Sequence, residues 1–438
     1  MKVITIVLVV FLHSLVPFVT ILDNTQFLET AYNNILYHFL CDGTVTVQTF
    51  FMISGCLTSY NLRVISEENT LWKKIPIFIL LRWLRLTPIY AITLAITASW
   101  LRFAGSGPMW HKLIESEVKD CRRDSWQNML YINNYFDNTR CMAHTWYVAA
   151  DMQLFVLGIF TLVMTRSDQR RQVVLWIMFV LSLIIVPLHT YYQNLYAHVI
   201  VSPKFILEWF VTDPTFNNSY KRGHTNIPCY ILGLILGLIV YKLQQEQIHI
   251  KKYKIYKYMF WALCPMMFIL IVCRGILYMD GVTPNLAVRA VFSGIYRPLF
   301  GLLMFLFIIG MVIKVENVYR TILEWRFWTS IVRLSYAVYI IHAILIQISV
   351  YSRTTLNHLT IHEAIITSYG TIALCFLCAV PLWLLVESPI SQIIRHLTST
   401  SIKNKKPGQD RILISAVTSI KAFAVTTNEK QTFEVRRA

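Results

Sequence analysis

Apolar runs of about 20 residues recur along this chain, the length a helix needs to cross a hydrocarbon core of roughly 30 Å at 1.5 Å per residue. Lipid offers backbone N–H and C=O groups no water to bond, so such runs have to be helices. Spans are expected near 3–22, 43–62, 76–100, 145–165, 173–190, 225–243, 258–277, 287–313, 330–350 and 364–386. The expected fold is therefore an all-α polytopic membrane bundle of about ten transmembrane helices. It fills residues 1–390 and leaves 391–438 as a basic, flexible cytosolic tail. Charged residues make up only 14% of the chain, where a soluble domain has about a quarter, which argues against a soluble enzyme. A net charge of +17 could suggest nucleic acid, but the basic residues lie between the apolar runs. Membrane lipids with anionic headgroups are the expected partners, and no nucleic acid is.

The basic links follow the even-numbered spans. They hold Arg63, Lys73 and Lys74; Arg166, Arg170 and Arg171; Lys251, Lys252, Lys254 and Lys257; and Lys314, Arg320 and Arg326. The positive-inside rule places these links and both termini in the cytosol, in an endoplasmic reticulum or plasma membrane protein. Asn217-Asn218-Ser219 lies on the opposite side and reads as a glycosylation acceptor at Asn217. Lys2 ahead of an apolar stretch imitates a signal peptide, but His13, Pro17 and the lack of a small-residue cleavage site favour a span. Cys41, Cys121 and Cys141 fall in outward loops, where disulfides form. A Cys121–Cys141 bond within one loop is expected, with Cys41 paired to either as the competing connectivity. Cys375 and Cys378 have redox-motif spacing but sit in an apolar helix, where packing is the plainer reading.

Ionisable groups inside spans are costly and mark candidate sites. His13 lies ~16 Å along a helix from Lys2, near mid-membrane, where a neutral imidazole can act as a general base. Arg82 and Arg85, three apart, share one helix face and can converge on a phosphate-bearing ligand. Asp151 needs a partner, either His13 or an arginine. Arg297, Arg333, His342 and Glu387 complete the set. Each has a plainer structural reading: a bundle hydrogen bond for the histidines and Glu387, interfacial snorkelling for the arginine pair, a salt bridge for Asp151. No P-loop, GxSxG, HExxH or dinucleotide fingerprint is present, and no resident cofactor or metal is expected.

In order along the chain, these residues resemble the membrane acyltransferase-3 family, and its animal nose-resistant-to-fluoxetine branch in particular. The resemblance rests on Lys2-x10-His13, Phe50-Phe51-Met52-Ile53-Ser54-Gly55, and Arg82-Trp83-Leu84-Arg85-Leu86-Thr87-Pro88-Ile89-Tyr90. It continues through Cys141 to Tyr147 and Asp151 to Leu154, then Arg333 to His342 and Glu387-Ser388-Pro389. Each motif is weak alone; six in order are specific. The resemblance implies transfer of an acyl group from acyl-CoA, as co-substrate, to a hydroxyl on a small-molecule or lipid acceptor. It implies His13 and Asp151 as catalytic residues and Lys2, Arg82, Arg85, Tyr147, Arg297 and His342 as substrate-binding residues. The family usually has an acidic residue where this chain has Gln48, which would slow the enzyme if that carboxylate orients the histidine. Animal members also carry a lumenal domain and a further span ahead of this region, so a short isoform, a fragment or a truncated gene model is expected. The competing expectations are a non-catalytic lipid or xenobiotic uptake factor on the same fold and, more weakly, a membrane scaffold acting through its basic tail.

Overall fold

The computed structural model describes residues 1–32, 34, 43–65, 71–137, 139–201, 206, 211–245, 254–278 and 283–400. Cys41, Lys251, Lys252 and the tail from 401 onward lie outside the described residues. Regular structure among the described residues is helical, apart from one isolated bridge between Leu22 and Asn357. In chain order the helices are α1 (Lys2–Leu15), α2 (Thr25–Tyr32), α3 (Thr46–Ile65), α4 (Ile75–Ser99) and α5 (Pro108–Met129). They continue as α6 (Trp146–Met164), α7 (Asp168–Tyr192), α8 (Ile227–Gln245), α9 (Lys254–Ile276) and α10 (Leu286–Val312). The set ends with α11 (Val318–Leu323), α12 (Arg326–Ile331), α13 (Ser335–Tyr351), α14 (Ile361–Leu382) and α15 (Ser388–Thr400).

Nine helical segments among the described residues are long and apolar enough to cross a membrane. They correspond to all the expected spans except the second. That span is the 20-residue helix α3, whose buried Gln48, Thr49, Thr58 and Ser59 dilute its apolar character. It can carry them because it is wrapped by protein. It packs backbone to backbone on α8, where a Cβ at Gly233 would land on Met52 O and one at Gly237 on Cys56 O. Small residues four apart allow helices this close an approach in lipid. Outer faces are apolar instead: on α7, Trp176, Ile177, Val180, Leu181, Ile184 and Leu188 are all exposed. Apolar residues outside and polar ones inside is the arrangement a bilayer imposes.

Two expectations are corrected here. The Cys121–Cys141 segment is not an open loop, because Cys121 sits on the 22-residue helix α5. And the tail does not begin at 391, because α15 runs through that boundary to Thr400. At the basic end, the last turn of α3 and the first residue of α7 meet through an Arg63–Asp168 ion pair at 2.6 Å.

Candidate active site

The bundle encloses two cavities that face opposite ends. The first, about 300 Å³, opens at the end where α1 begins and α14 finishes. Lys2, Arg82, Arg85, Asp151, Arg333 and Glu387 all line it. The i, i+3 spacing on α4 thus delivers both arginines to one chamber, as the sequence implies. Arg82 is fixed: Nη2 pairs with Asp151 and donates to Ser54 Oγ at 3.1 Å, and the guanidinium lies 4.1 Å over the Phe155 ring. Glu387 is carried by a π-helical turn, Trp383–Glu387, between α14 and α15. Such turns are rare and recur at functional sites. Four side-chain atoms around this chamber are buried without a hydrogen-bond partner: Arg82 Nε, Asp151 Oδ1, Ser335 Oγ and Glu387 Oε2. Unsatisfied buried polar atoms are uncommon in a native fold, and a cluster of them fits a ligand cavity.

The second cavity, about 170 Å³, lies toward the disulfide end and holds His13 in a mostly apolar wall that includes Val9, Leu12, Val47, Val199 and Ile346. His13 Nδ1 is 2.8 Å from His342 Nε2, and His342 Nδ1 is 2.6 Å from Tyr339 O. A carbonyl oxygen only accepts, so His342 Nδ1 carries a proton and donates it. With that ring neutral, His342 Nε2 is a lone pair and accepts from His13 Nδ1–H. His13 is left with an unprotonated Nε2, the atom a general base uses. This tautomer is assigned from the bonding network.

A third histidine completes the cluster. The His144 ring lies 4.9 Å from that of His342, its Nε2–H donates to Ile340 O at 3.2 Å, and its own carbonyl accepts from Tyr339 Oη–H. The segment that presents His144 is pinned from α5. Cys121 and Cys141 are bonded, as expected, with Cα atoms 4.6 Å apart. The next residue, Met142, is held in the left-handed region (φ 44°), which few non-glycine residues enter, and its N–H donates to Glu117 Oε1 at 3.2 Å. Glu117 also accepts from Gln347 Nε2 at 2.6 Å. Burial pushes the Glu117 carboxyl up to about 7, although both of these hydrogen bonds favour its ionised form.

The two cavities share two lining residues, Tyr147 and Tyr339, whose rings lie 5.7 Å apart.

The family described as "Acyltransferase domain" (acyltransferase 3) matches residues 1–380. The chain belongs to the acyltransferase-3 family. A curated relative is Nose resistant to fluoxetine protein 6 of Caenorhabditis elegans, 23% identical over 384 residues and covering 81% of this chain. The chain spans 45% of that relative's length. No solved structure matches it.

Against this acyltransferase-3 frame, several expectations change. Asp151 does not approach His13; its partner is Arg82, in the other chamber. His342 is fully buried, is hydrogen-bonded to His13 and lines neither large cavity. Arg297 lines neither large cavity. It stacks 5.0 Å over Tyr220 and borders a void of about 10 Å³ with Gln48, a space the size of one water. Gln48 donates to Asn226 Oδ1 at 2.8 Å, whereas the side chain that meets His13 Nδ1 is His342, also at 2.8 Å. Asn217, expected in an outward-facing loop, is buried in a second π-helical turn, Phe216–Tyr220, where Nδ2 donates to Val211 O at 2.6 Å. His144, Tyr339, Glu117 and Gln347 were not singled out from sequence. His144 and Tyr339 lie inside the Cys141–Tyr147 and Arg333–His342 segments that carry the resemblance, which was the available signal for those two.

Proposed function

We propose that this acyltransferase-3 protein moves an acyl group from acyl-CoA to a hydroxyl-bearing lipid or small-molecule acceptor. The observation that carries the reading is the imidazole chain from Tyr339 O through His342 to His13, which leaves His13 Nε2 as a lone pair on the apolar cavity. In the proposed reaction the acceptor O–H gives its proton to His13 Nε2 as its oxygen attacks the thioester carbonyl carbon. The C–O bond forms, the C–S bond breaks, and the proton passes to the departing CoA thiolate. The chamber with Lys2, Arg82 and Arg85 suits the anionic donor, and the basic links at that end support a cytosolic placement for it. The decisive test is transfer from radiolabelled acetyl-CoA by purified protein in nanodiscs, with His13→Ala losing it. Full turnover in that variant would remove the histidine mechanism.

A second reading draws on the same geometry. Two cavities that meet at one pair of rings also suit passage of a lipid or xenobiotic through the bundle without chemistry. It expects flux in proteoliposomes that survives His13→Ala.

A further inference from the structure

A thioester whose CoA part sits in the charged chamber, and whose acyl carbonyl reaches His13 between Tyr147 and Tyr339, faces water as well as alcohol. Lys2, Arg82, Arg85, Asp151 and Glu387 make that chamber the more attractive of the two to water, while His13 stands in the other, mostly apolar cavity. A base able to deprotonate an alcohol can also deprotonate water, and the product would then be a free acid: water oxygen bonds to the carbonyl carbon, the C–S bond breaks, and the proton moves through His13 to the thiolate. Something has to favour alcohol over water at that point.

Tyr147 and Tyr339 are the side chains placed to do it, since both line both cavities. Tyr147 is backed by the Phe50 and Phe51 rings, at 5.5 and 4.8 Å, which gives the Phe-Phe motif of α3 a role. Tyr339 is tied at two points: its hydroxyl donates to His144 O, and its carbonyl accepts from His342 Nδ1 at 2.6 Å. Any displacement of Tyr339 backbone would therefore also disturb the His342–His13 chain. We infer that Tyr147 and Tyr339 are specificity-determining residues, an aromatic partition that closes around the acyl group passing between the cavities, keeps water of the charged chamber from His13 and so makes alcohol, not water, the acyl acceptor.

This inference rests on the acyl-transfer reading, and the test separates the two. Purified protein in nanodiscs is given [14C]acetyl-CoA and dodecan-1-ol, and dodecyl acetate and free acetate are both counted. Tyr147→Ala is expected to raise the ratio of acetate to ester about tenfold, and Tyr147→Phe, which keeps the ring, to leave it within twofold. An unchanged ratio in Tyr147→Ala overturns the partition while leaving transfer intact. A second readout needs no chemistry. With Leu57→Cys, whose position lines the charged chamber, in a background where the native free cysteines such as the exposed Cys273 are replaced by Ser, a membrane-impermeant thiol reagent is applied to either face of oriented proteoliposomes. Labelling from the basic end alone, becoming labelling from both ends in the Tyr147→Ala/Tyr339→Ala background, supports the partition. Labelling from both ends without those substitutions, or from one end with them, overturns it even if the protein transfers nothing.

Discussion

His342 Nε2 meets His13 Nδ1 at 2.8 Å, joining two imidazoles 329 residues apart in the chain. The contact fixes which His13 nitrogen is free. His13→Ala removes the proposed base and is expected to lower kcat about 10²–10⁴-fold. His342→Ala leaves the base in place but releases its tautomer and ring orientation, so kcat should fall while KM for acyl-CoA stays within about twofold. Steady-state kinetics of both variants, alongside thermal unfolding in detergent, would check this. A His342→Ala enzyme that loses donor affinity instead of kcat would contradict an orienting role.

The Arg82–Asp151 pair is buried at the wall of the charged chamber, with side chains 20% and 11% exposed. Removing one partner strands the other charge in a low-dielectric site. Asp151→Ala is expected to destabilise the fold by about 3 kcal/mol, and Arg82→Met/Asp151→Leu to recover much of that loss. Donor binding should not recover in the double variant, because Arg82 is one of the chamber's cations. Denaturation midpoints combined with KM for acyl-CoA distinguish the two effects.

The helical bundle itself was legible in the sequence because run length and backbone desolvation leave one solution. Pairings were harder. Arg82 and Arg85 could be placed on one face because helix spacing is local, whereas Asp151 had two eligible partners and only the packing of α4 on α6 selects Arg82. Helix α3 was readable as a span despite its polar residues, but not the reason it tolerates them, which is its close contact with Gly233 and Gly237. Arg297 resembled a ligand residue since a span arginine usually is one; here a tyrosine face and a water-sized void accommodate it. Asn217 matched an acceptor pattern, which says nothing about burial.

Glu117 makes stability depend on pH. Its carboxyl rises from 4.5 to about 7 on folding, so between those values the folded chain keeps a proton that the unfolded chain has lost. Stability is highest below about 4.5, declines as pH rises toward 7, and is level above that, with a full span of up to about 3 kcal/mol. The groups facing Glu117 are the Met142 N–H, Gln347 and, at longer range, Asp120 and Arg140. Glu117→Gln should flatten this part of the profile, measured as unfolding free energy against pH. An unchanged slope in that variant would assign the dependence to another group.

The Cys121–Cys141 bond closes a 20-residue separation, and the loop-entropy account gives it about 3 kcal/mol. Its position adds a functional consequence, because Met142 and His144 follow directly after Cys141. Cys121→Ala/Cys141→Ala should lower the melting temperature and also loosen His144 beside His342. Acyl transfer is then expected to decline below the unfolding transition, where the bundle is still folded. Activity that tracks only the folded fraction would limit the bond to stability.

Gln48 stands where the family usually has an acid, and the consequence can be tested directly. Its Nε2 donates to Asn226 Oδ1, and the Asn226 amide in turn donates to Tyr220 O at 3.0 Å and Arg222 O at 2.8 Å. Asn226 cannot turn its amide toward a carboxylate at 48 without giving up those two bonds. Gln48→Glu therefore loses a hydrogen bond of about 1 kcal/mol and sets a carboxylate oxygen against Asn226 Oδ1. Arg297 Nη1 and Gln48 Oε1 both lack partners beside the shared void, so the new charge gains a cation across it. In the proposed reaction His342, not position 48, orients His13, so kcat for Gln48→Glu should remain within about threefold of the native chain. A rise of tenfold or more would return the orienting role to position 48. Arg297→Met in the Gln48→Glu background should then destabilise the protein more than in the native one, because it leaves the introduced carboxylate buried without its partner.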